Sequence, residues 1–98
     1  MVVLRLTGEL DLASAPLLQS KIDSSDIDGS ARVVLDLREL QFIDSTGLRV
    51  IFSAHARSRE RGAQFAVTTG SEQVQRLLAI TGAGEHLRVI DSPEEMRG

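Results

Sequence analysis

The stretch that decides the fold is residues 32–48, which read RVVLDLRELQFIDSTGL. Its first six residues form an apolar run without strict alternation, which is typical of a strand buried on both faces of a sheet. Small hydroxyl residues and Gly47 then open a second segment, in which apolar residues recur at helical spacing from about Thr46 to Arg61. The stretch therefore predicts a central strand followed by a helix.

The segments on both sides of this stretch repeat the alternation of strand and helix. A first strand is predicted at residues 2–6, followed by a helix with Ser14 as its N-cap that ends near residues 24–25. A third strand at residues 65–69 leads to a helix capped by Ser71, and a last strand occupies residues 87–90. Such alternation produces parallel strands with right-handed crossovers. We therefore predict one α/β domain, residues 1–98, with a mostly parallel sheet.

Each predicted helix carries an apolar stripe that should face the sheet, because these residues recur every three or four positions. A short helix is also predicted to begin within residues 91–96. The stripes comprise Leu17, Leu18 and Ile22 in the first helix, Leu48, Ile51, Phe52 and His55 in the second, and Val74, Leu77, Leu78 and Thr81 in the third.

The composition narrows the function classes. The 98 residues are 42% hydrophobic and 26% charged, which fits a single globular domain and differs from disordered segments. The absence of cysteine excludes thiol catalysis, cysteine zinc sites and disulfides. The net charge of −3 and the three aromatic residues, all Phe, argue against nucleic-acid binding. No apolar run approaches the roughly 18 residues of a membrane span, and no basic leader is evident, so we expect a cytoplasmic protein without a membrane partner.

Polar residues follow each of the first three predicted strands. Because the carboxyl ends of parallel strands meet at one edge of a sheet, we expect these residues to form one face with the amino ends of the following helices. This predicted partner-binding face comprises Asp11, Ser14, Asp44, Ser45, Thr46, Gly47, Gly70 and Ser71.

The Asp44 to Gly47 segment has two compatible interpretations. Asp44 or Ser45 is a preferred N-cap residue, and Gly47 permits close packing. A phosphoryl group at the same place would accept hydrogen bonds from the free amides of the helix and be stabilised by its dipole. Its charge of about −1.5 to −2 would at the same time disrupt the binding of a docked partner. Arg49 lies one turn after Ser45, and we predict that it contributes to partner docking or holds a phosphoryl group.

The whole pattern resembles the STAS domain family and, within it, the bacterial anti-sigma factor antagonists. The resemblance covers nearly the entire chain and is carried by residues 6–11 (LTGELD), 33–37 (VVLDL) and 43–48 (IDSTGL). It implies that Ser45 is phosphorylated by an anti-sigma factor that is a serine kinase and ATPase. It also implies that the unphosphorylated form captures this kinase and releases a sigma factor, and that a metal-dependent serine phosphatase restores it. We further predict that Asp11 and Asp44 position either the docking or the Ser45 hydroxyl, and no cofactor is implied.

Two departures from the family pattern concern the ends of the domain. Family members usually have a strand before the one predicted at residues 2–6, and this first family strand is missing here. The edge of the sheet is therefore expected to be exposed, to be completed by a strand trimmed from this sequence, or to be covered by another subunit, as in a homodimer. The usual closing helix is abbreviated at residues 94–96.

Another non-enzymatic function is open within the same resemblance. The chain could be a STAS subunit of a transporter, a lipid-transfer complex or a stress-signalling assembly. The Asp44-Ser45 pair favours the antagonist, since transport-associated relatives often carry other residues there. Neighbouring genes would discriminate the two functions, because a kinase and a sigma factor favour the antagonist and a permease favours the transporter subunit.

A serine hydrolase is disfavoured by the positions of the histidines. His55 lies ten residues after Ser45 on the same predicted helix, about 15 Å away by helical rise. His86 is not excluded by its position, but the Gly-x-Ser-x-Gly pattern is absent because Ile43 stands at its first place. We expect His55 to lie at the edge of the core with one hydrogen bond, and His86 in a loop.

Metal and nucleotide sites are also disfavoured. Asp23, Asp26 and Asp28 suggest a calcium loop, but Leu35 would then occupy the place of its bidentate acid. The chain's single lysine, Lys21, lies inside the first predicted helix, so no glycine-rich phosphate loop with a lysine exists. We therefore predict no enzymatic activity, no metal and no cofactor.

Overall fold

A computed structural model describes residues 1–24, 27 and 29–96 and confirms the predicted α/β fold. Within these residues, a four-stranded sheet has the order β1-β2-β3-β4, and every neighbouring pair is parallel. The strands are β1 (Val2–Leu10), β2 (Arg32–Ile43), β3 (Gln64–Thr68) and β4 (Val89–Ile90). The helices are α1 (Ala15–Ile22), α2 (Ser45–Glu60), α3 (Glu72–Thr81) and α4 (Ala83–His86), with a 3-10 helix at Pro93–Met96.

The core lies mainly between the sheet and helices α1 to α3. Val33 and Leu35 face these helices, because alternate residues of a strand point to opposite sides of the sheet. Val34, between them, packs on the other side with Met96 of the 3-10 helix. All three β2 residues are fully buried, which confirms the prediction of a strand covered on both faces.

The second half of β2 extends beyond its partner β3. Only residues Arg32–Leu35 pair with β3, whereas pairing with β1 continues to Ile43. Side chains replace the missing strand: the hydroxyl of Thr68 accepts from the Leu37 N–H at 2.7 Å, and the Gln73 amide binds the Ile43 N–H and carbonyl at 3.0 and 3.2 Å. These bonds satisfy backbone groups that would otherwise be unpaired and hold the end of β2 beside α3.

A buried carboxylate stabilises the point where β2 and β3 separate. Asp36 accepts two hydrogen bonds from the guanidinium of Arg38, at 2.9 and 2.8 Å, and one from the Thr68 hydroxyl at 3.1 Å. The Arg38 bonds are the largest cause that lowers the pKa of Asp36 to about 2. Arg38 is only two residues from Asp36 in the chain, whereas Thr68 is brought to it by the pairing of β2 with β3.

Several predicted boundaries were wrong by a few residues. β1 continues to Leu10 rather than stopping at residue 6, because β2 is also longer and pairs with it throughout. Gly8, which suggested a strand end, has φ +75° and lies next to a register shift inside the strand. The last strand contains only Val89 and Ile90, and α1 ends at Ile22. Of the predicted acidic loop, Asp26 and Asp28 lie outside the described residues.

Two predicted core residues face solvent. Leu17 is 70% exposed, because α1 packs mainly against α2 and buries Leu18 and Ile22, four residues apart, instead. Thr81 is exposed at the end of α3, where its hydroxyl donates to the Leu77 carbonyl at 2.8 Å. Among the residues that the structure describes, no helix is long and apolar enough to cross a membrane.

Candidate functional site

The loops after β1 and β2 are joined at the carboxyl edge of the sheet. The Asp44 N–H donates to the Leu10 carbonyl at 3.1 Å, and the Leu12 N–H donates to the Asp44 carboxylate at 3.2 Å. The end of β1 and the start of α2 therefore form one connected surface, as the parallel sheet predicted.

Asp44 caps α2 and leaves Ser45 available. An oxygen of the Asp44 carboxylate accepts from the Gly47 N–H at 2.9 Å, so Asp44, and not Ser45, is the N-cap. Ser45 is the first residue of the helix and is exposed. Its hydroxyl makes no hydrogen bond with any residue that the structure describes. An exposed nucleophilic oxygen therefore lies at the amino end of a 16-residue helix.

Gly47 shapes this helix end through close packing. A Cβ at Gly47 would lie 2.7 Å from both the Cγ and the carbonyl oxygen of Leu10, closer than real Cβ contacts. The close packing predicted at Gly47 is therefore found, and the structure shows that it joins α2 to the end of β1. Because Gly47 is buried, it supports the predicted partner-binding face from behind.

The serine after β1 is engaged inside its own loop. The Asp11 carboxylate accepts from the N–H groups of Ala13 and Ser14, both at 3.0 Å. The Ser14 hydroxyl accepts from the Asp11 N–H at 2.9 Å and donates to the Glu9 carbonyl at 2.8 Å. Ser14 occupies the N-cap position of α1, but its side chain makes no capping bond, so that part of the prediction was wrong. The reason is that the Ser14 hydroxyl makes its hydrogen bonds with Asp11 and Glu9 instead.

The third junction also has a structural role. The Ser71 hydroxyl accepts from the Val74 N–H at 3.4 Å and donates to the Gln41 carbonyl at 3.1 Å, which confirms the predicted cap of α3. A Cβ at Gly70 would lie 2.7 Å from the Leu37 carbonyl oxygen. Both residues are only partly exposed and tie α3 to β2.

The exposed part of the predicted face is thus concentrated around Ser45. Thr46 is half-buried, and Arg49 is exposed without an ion pair to any described residue. Leu12, which the sequence analysis overlooked, is 74% exposed and lies with Thr46 and Val50 around a shallow apolar depression. The sequence did contain a signal for its exposure, because Leu12 directly follows Asp11 in the loop after β1. The surface around Ser45 combines a hydroxyl, a carboxylate cap, a cation and an apolar side chain, which suits recognition of another protein.

His55 lies at the edge of the core, as predicted. Its ring packs on Phe65 with the ring centroids 5.7 Å apart, and burial lowers the pKa of the imidazole. The predicted hydrogen bond is not found at Nδ1, which is buried without a partner in the described part of the chain. No group of three or more histidine or acidic side chains among the described residues could hold a metal ion.

Comparisons with known proteins agree with the resemblance. Residues 1–96 match the STAS domain family. An anti-sigma F factor antagonist from Paenibacillus polymyxa is 30% identical, with 94% of this chain and 80% of that protein aligned. The crystal structure of an anti-sigma factor antagonist from Mycobacterium paratuberculosis has a TM-score of 0.84 at 23% identity, covering 96% of this chain and 80% of that one. A sulfate transporter family protein from Wolinella succinogenes has the same fold, with a TM-score of 0.80 at 22% identity over 95% of this chain and 79% of that one.

Proposed function

We propose that this chain, which belongs to the STAS domain family, is an anti-sigma factor antagonist switched by phosphorylation of Ser45. The unphosphorylated protein binds an anti-sigma factor that is a serine kinase, and this binding releases a sigma factor. Phosphorylation of Ser45 ends the binding, and a metal-dependent serine phosphatase restores it. The antagonist names of relatives such as that from Paenibacillus polymyxa support this assignment.

The observation that carries the proposal is the exposed Ser45 hydroxyl at the start of α2. Asp44 satisfies the capping requirement of the helix, so Ser45 is not needed for that purpose. In the reaction, the Ser45 oxygen attacks the terminal phosphorus of ATP bound to the kinase, the bond from that phosphorus to ADP breaks, and the hydroxyl proton leaves. The protein is therefore the phosphoryl acceptor and has no catalytic role.

The consequences of phosphorylation follow from charge. A phosphoryl group at the amino end of α2 would be stabilised by the helix dipole, so the modified protein should remain folded. The same group adds a charge of about −1.5 to −2 beside Asp44, on a surface that docks the kinase. A partner whose surface is complementary to the neutral serine would therefore bind the phosphorylated protein more weakly. Because the reaction needs ATP, we propose that this cycle takes place in the cytoplasm.

The experiment is to incubate the protein with Mg-ATP and the anti-sigma kinase encoded nearest to it, and to measure the intact mass. We expect one added phosphoryl group in the wild type and in Ser14→Ala, and none in Ser45→Ala. Ser14→Ala is the matched control, because it removes a serine hydroxyl from the neighbouring loop. Phosphorylation of Ser45→Ala, or its loss in Ser14→Ala with the fold intact, would contradict the proposed site.

Binding measurements test the switch apart from the chemistry. In titrations with the kinase, Ser45→Ala should bind like the wild type, whereas Ser45→Asp should bind at least tenfold more weakly because it places a carboxylate at the docking surface. Equal affinity of the two variants would count against charge as the blocking mechanism. Arg49→Ala should also weaken docking or phosphorylation, and unchanged values for both would exclude Arg49 from the site.

The similarity in fold to the sulfate transporter family protein supports a second candidate, a STAS subunit of a transporter. A lipid-transfer or stress-signalling complex belongs to the same class of function. Binding to a permease encoded beside the chain, without binding to the kinase, would favour this candidate. Binding to an active kinase without phosphorylation would instead indicate a scaffold that is not switched at Ser45.

A further inference from the structure

The surface beside Ser45 contains an apolar depression between α1 and α2. It has a volume of about 340 Å³ and is open to solvent, and none of the residues that line it is charged. Leu12, one of these residues, is 74% exposed. Exposed apolar residues grouped beside polar ones mark a contact with another molecule. The lining residues are Leu12, Ala15, Pro16, Gln19, Thr46 and Val50.

The depression is continuous with the surface that presents the proposed phosphorylation site. Ser45 and Arg49 are four residues apart on α2 and form one exposed row along the helix. Thr46 and Val50 form the neighbouring row, which lines the depression. Leu12 is joined to the same helix end, because its N–H donates to the carboxylate that caps α2, at 3.2 Å. A protein that docks on Ser45 would therefore also cover the depression.

The backbone around Leu12 is held in place by hydrogen bonds. The Leu12 N–H is bound by the Asp44 carboxylate, and the N–H groups of Ala13 and Ser14 are bound by the Asp11 carboxylate, both at 3.0 Å. Three consecutive N–H groups of this loop thus donate to carboxylates. Because the loop is already ordered, a partner that contacts Leu12 loses little affinity to ordering it.

Charge divides this surface into two parts. Arg49 is an exposed cation without an ion pair to any described residue, and the amino end of α2 adds the positive end of the helix dipole at Ser45. This part is complementary to the triphosphate of ATP bound to a kinase. The depression has no charged residue and is complementary to an apolar side chain. The surface therefore fits a partner that carries an apolar side chain next to a bound nucleotide.

We propose that the depression receives an apolar side chain of the anti-sigma kinase, next to the nucleotide that phosphorylates Ser45, and that Leu12 forms one wall of this contact. The inference rests on the proposed function, because it assigns the docking of the same partner. One contact is electrostatic, at Ser45 and Arg49, and the other is apolar. Together they fix the orientation of the Ser45 hydroxyl towards the terminal phosphate of ATP.

The first experiment measures binding of the full chain to the kinase in the presence of Mg-ADP, which has no terminal phosphate to transfer to Ser45. We expect Leu12→Ala to bind about tenfold more weakly than the wild type. Ile80→Ala is the matched control and should bind like the wild type, because Ile80 is 75% exposed on α3, which contributes no residue to the depression. Both variants should unfold at the temperature of the wild type, since both side chains are mostly exposed.

The second experiment separates insertion into the depression from a contact made by Leu12 alone. Gln19→Trp places a large side chain at the depression and leaves Leu12 unchanged, so it should also weaken binding by about tenfold. Ala79→Trp adds the same side chain at an exposed position of α3 and should bind like the wild type. Normal binding of Gln19→Trp would overturn the depression as the receiving site, even if Leu12→Ala binds weakly.

The outcomes distinguish failure of this inference from failure of the proposed function. If Leu12→Ala binds like the wild type and both are phosphorylated at Ser45, the inference is wrong and the proposed function stands. If the wild type neither binds the kinase nor is phosphorylated, both are wrong. Sedimentation of the protein alone tests a second copy as the occupant. Self-association that Leu12→Ala abolishes would overturn the kinase as the partner that fills the depression.

Discussion

Two junctions of this protein have an aspartate and a serine after a parallel strand, yet they use them differently. After β1, the Ser14 hydroxyl is bound to Asp11 and Glu9, and the loop is closed on itself. After β2, the Asp44 carboxylate binds the backbone of α2 and of the β1 loop, and the Ser45 hydroxyl has no hydrogen-bond partner among the described residues. The same two residue types thus produce a structural serine in one loop and an accessible serine in the other.

The difference depends on the spacing of the two residues. Ser14 comes three positions after Asp11, so the chain turns back and the two side chains meet. Ser45 comes directly after Asp44, so the aspartate occupies the cap and the serine is the exposed first residue of the helix. Whether the serine hydroxyl is accessible therefore depends on which residue occupies the N-cap, and a serine in such a loop is not by itself accessible.

The substitution with the largest expected effect disrupts the close contact between Gly47 of α2 and Leu10 at the end of β1, which joins the two loops. Gly47→Ala would place a methyl group 2.7 Å from the Leu10 carbonyl oxygen and Cγ and push α2 away from β1. We expect the free energy of unfolding to fall by about 3 kcal/mol, at the upper end of overpacking effects. Chemical denaturation measures this change.

Gly84→Ala is the control for this substitution. Gly84 lies in α4, and nothing lies within 4 Å of a Cβ placed there. The ordinary advantage of alanine over glycine should stabilise this variant by about 0.4–1 kcal/mol. A loss of stability in both variants would show that steric contact at Gly47 is not the cause.

Acid should remove the contribution of Asp36 to the stability of the folded protein. The pKa of Asp36 is lowered to about 2 in the folded protein, from 3.8, so the unfolded chain binds this proton first as the pH falls. The contribution is present above about pH 4 and is lost between about pH 4 and pH 2, with a size of about 2 kcal/mol. Denaturation at a series of pH values measures it.

Arg38→Gln should reduce this loss between pH 4 and pH 2, because the Arg38 hydrogen bonds are the largest cause of the lowered pKa of Asp36. Arg76→Gln is the matched control, since Arg76 pairs with Glu72 on the exposed surface of α3 and should leave the profile unchanged. The same slope in Arg38→Gln and the wild type would argue against this ion pair as the origin of the acid sensitivity.

Ser14→Ala tests whether the hydrogen bonds of the Ser14 hydroxyl stabilise the loop after β1. It removes the acceptor of the Asp11 N–H and the donor to the Glu9 carbonyl in a half-buried loop. We expect a loss of about 1–2 kcal/mol in the free energy of unfolding. Faster hydrogen exchange confined to the Asp11 and Ser14 amides would assign the loss to this loop, and unchanged exchange there would contradict the assignment.

The smallest effect is expected at Ser45. Since its hydroxyl makes no hydrogen bond to the described residues, Ser45→Ala should change the free energy of unfolding by less than about 0.5 kcal/mol. Thermal unfolding of both variants measures this, and we expect Ser14→Ala to be clearly less stable than Ser45→Ala. A large loss at Ser45 would mean that it has a structural role.

The sequence predicted the fold class and the edge that carries the site, but several local details escaped it. The uninterrupted run at residues 33–37 identified the buried strand, and Ser71 was correctly predicted as a cap. The assignment of Ser14 as a capping side chain failed because its hydroxyl binds Glu9 of the preceding strand and Asp11 of the loop instead. Leu17 matched a helical stripe, but an eight-residue helix that packs on α2 buries only part of that stripe.

By itself, the sequence determined the order of strands and helices, and therefore the parallel sheet whose carboxyl edge gathers Asp11, Asp44 and Ser45. These features are local or periodic, so hydrophobic patterning and capping residues encode them directly. Only the tertiary structure decided that Asp44 rather than Ser45 caps α2, with its second carboxylate oxygen bound to the Leu12 N–H, and that Asp36 accepts a hydrogen bond from Thr68 inside the sheet. These outcomes depend on contacts between residues far apart in the chain, where several partners compete for each polar group and packing selects among them.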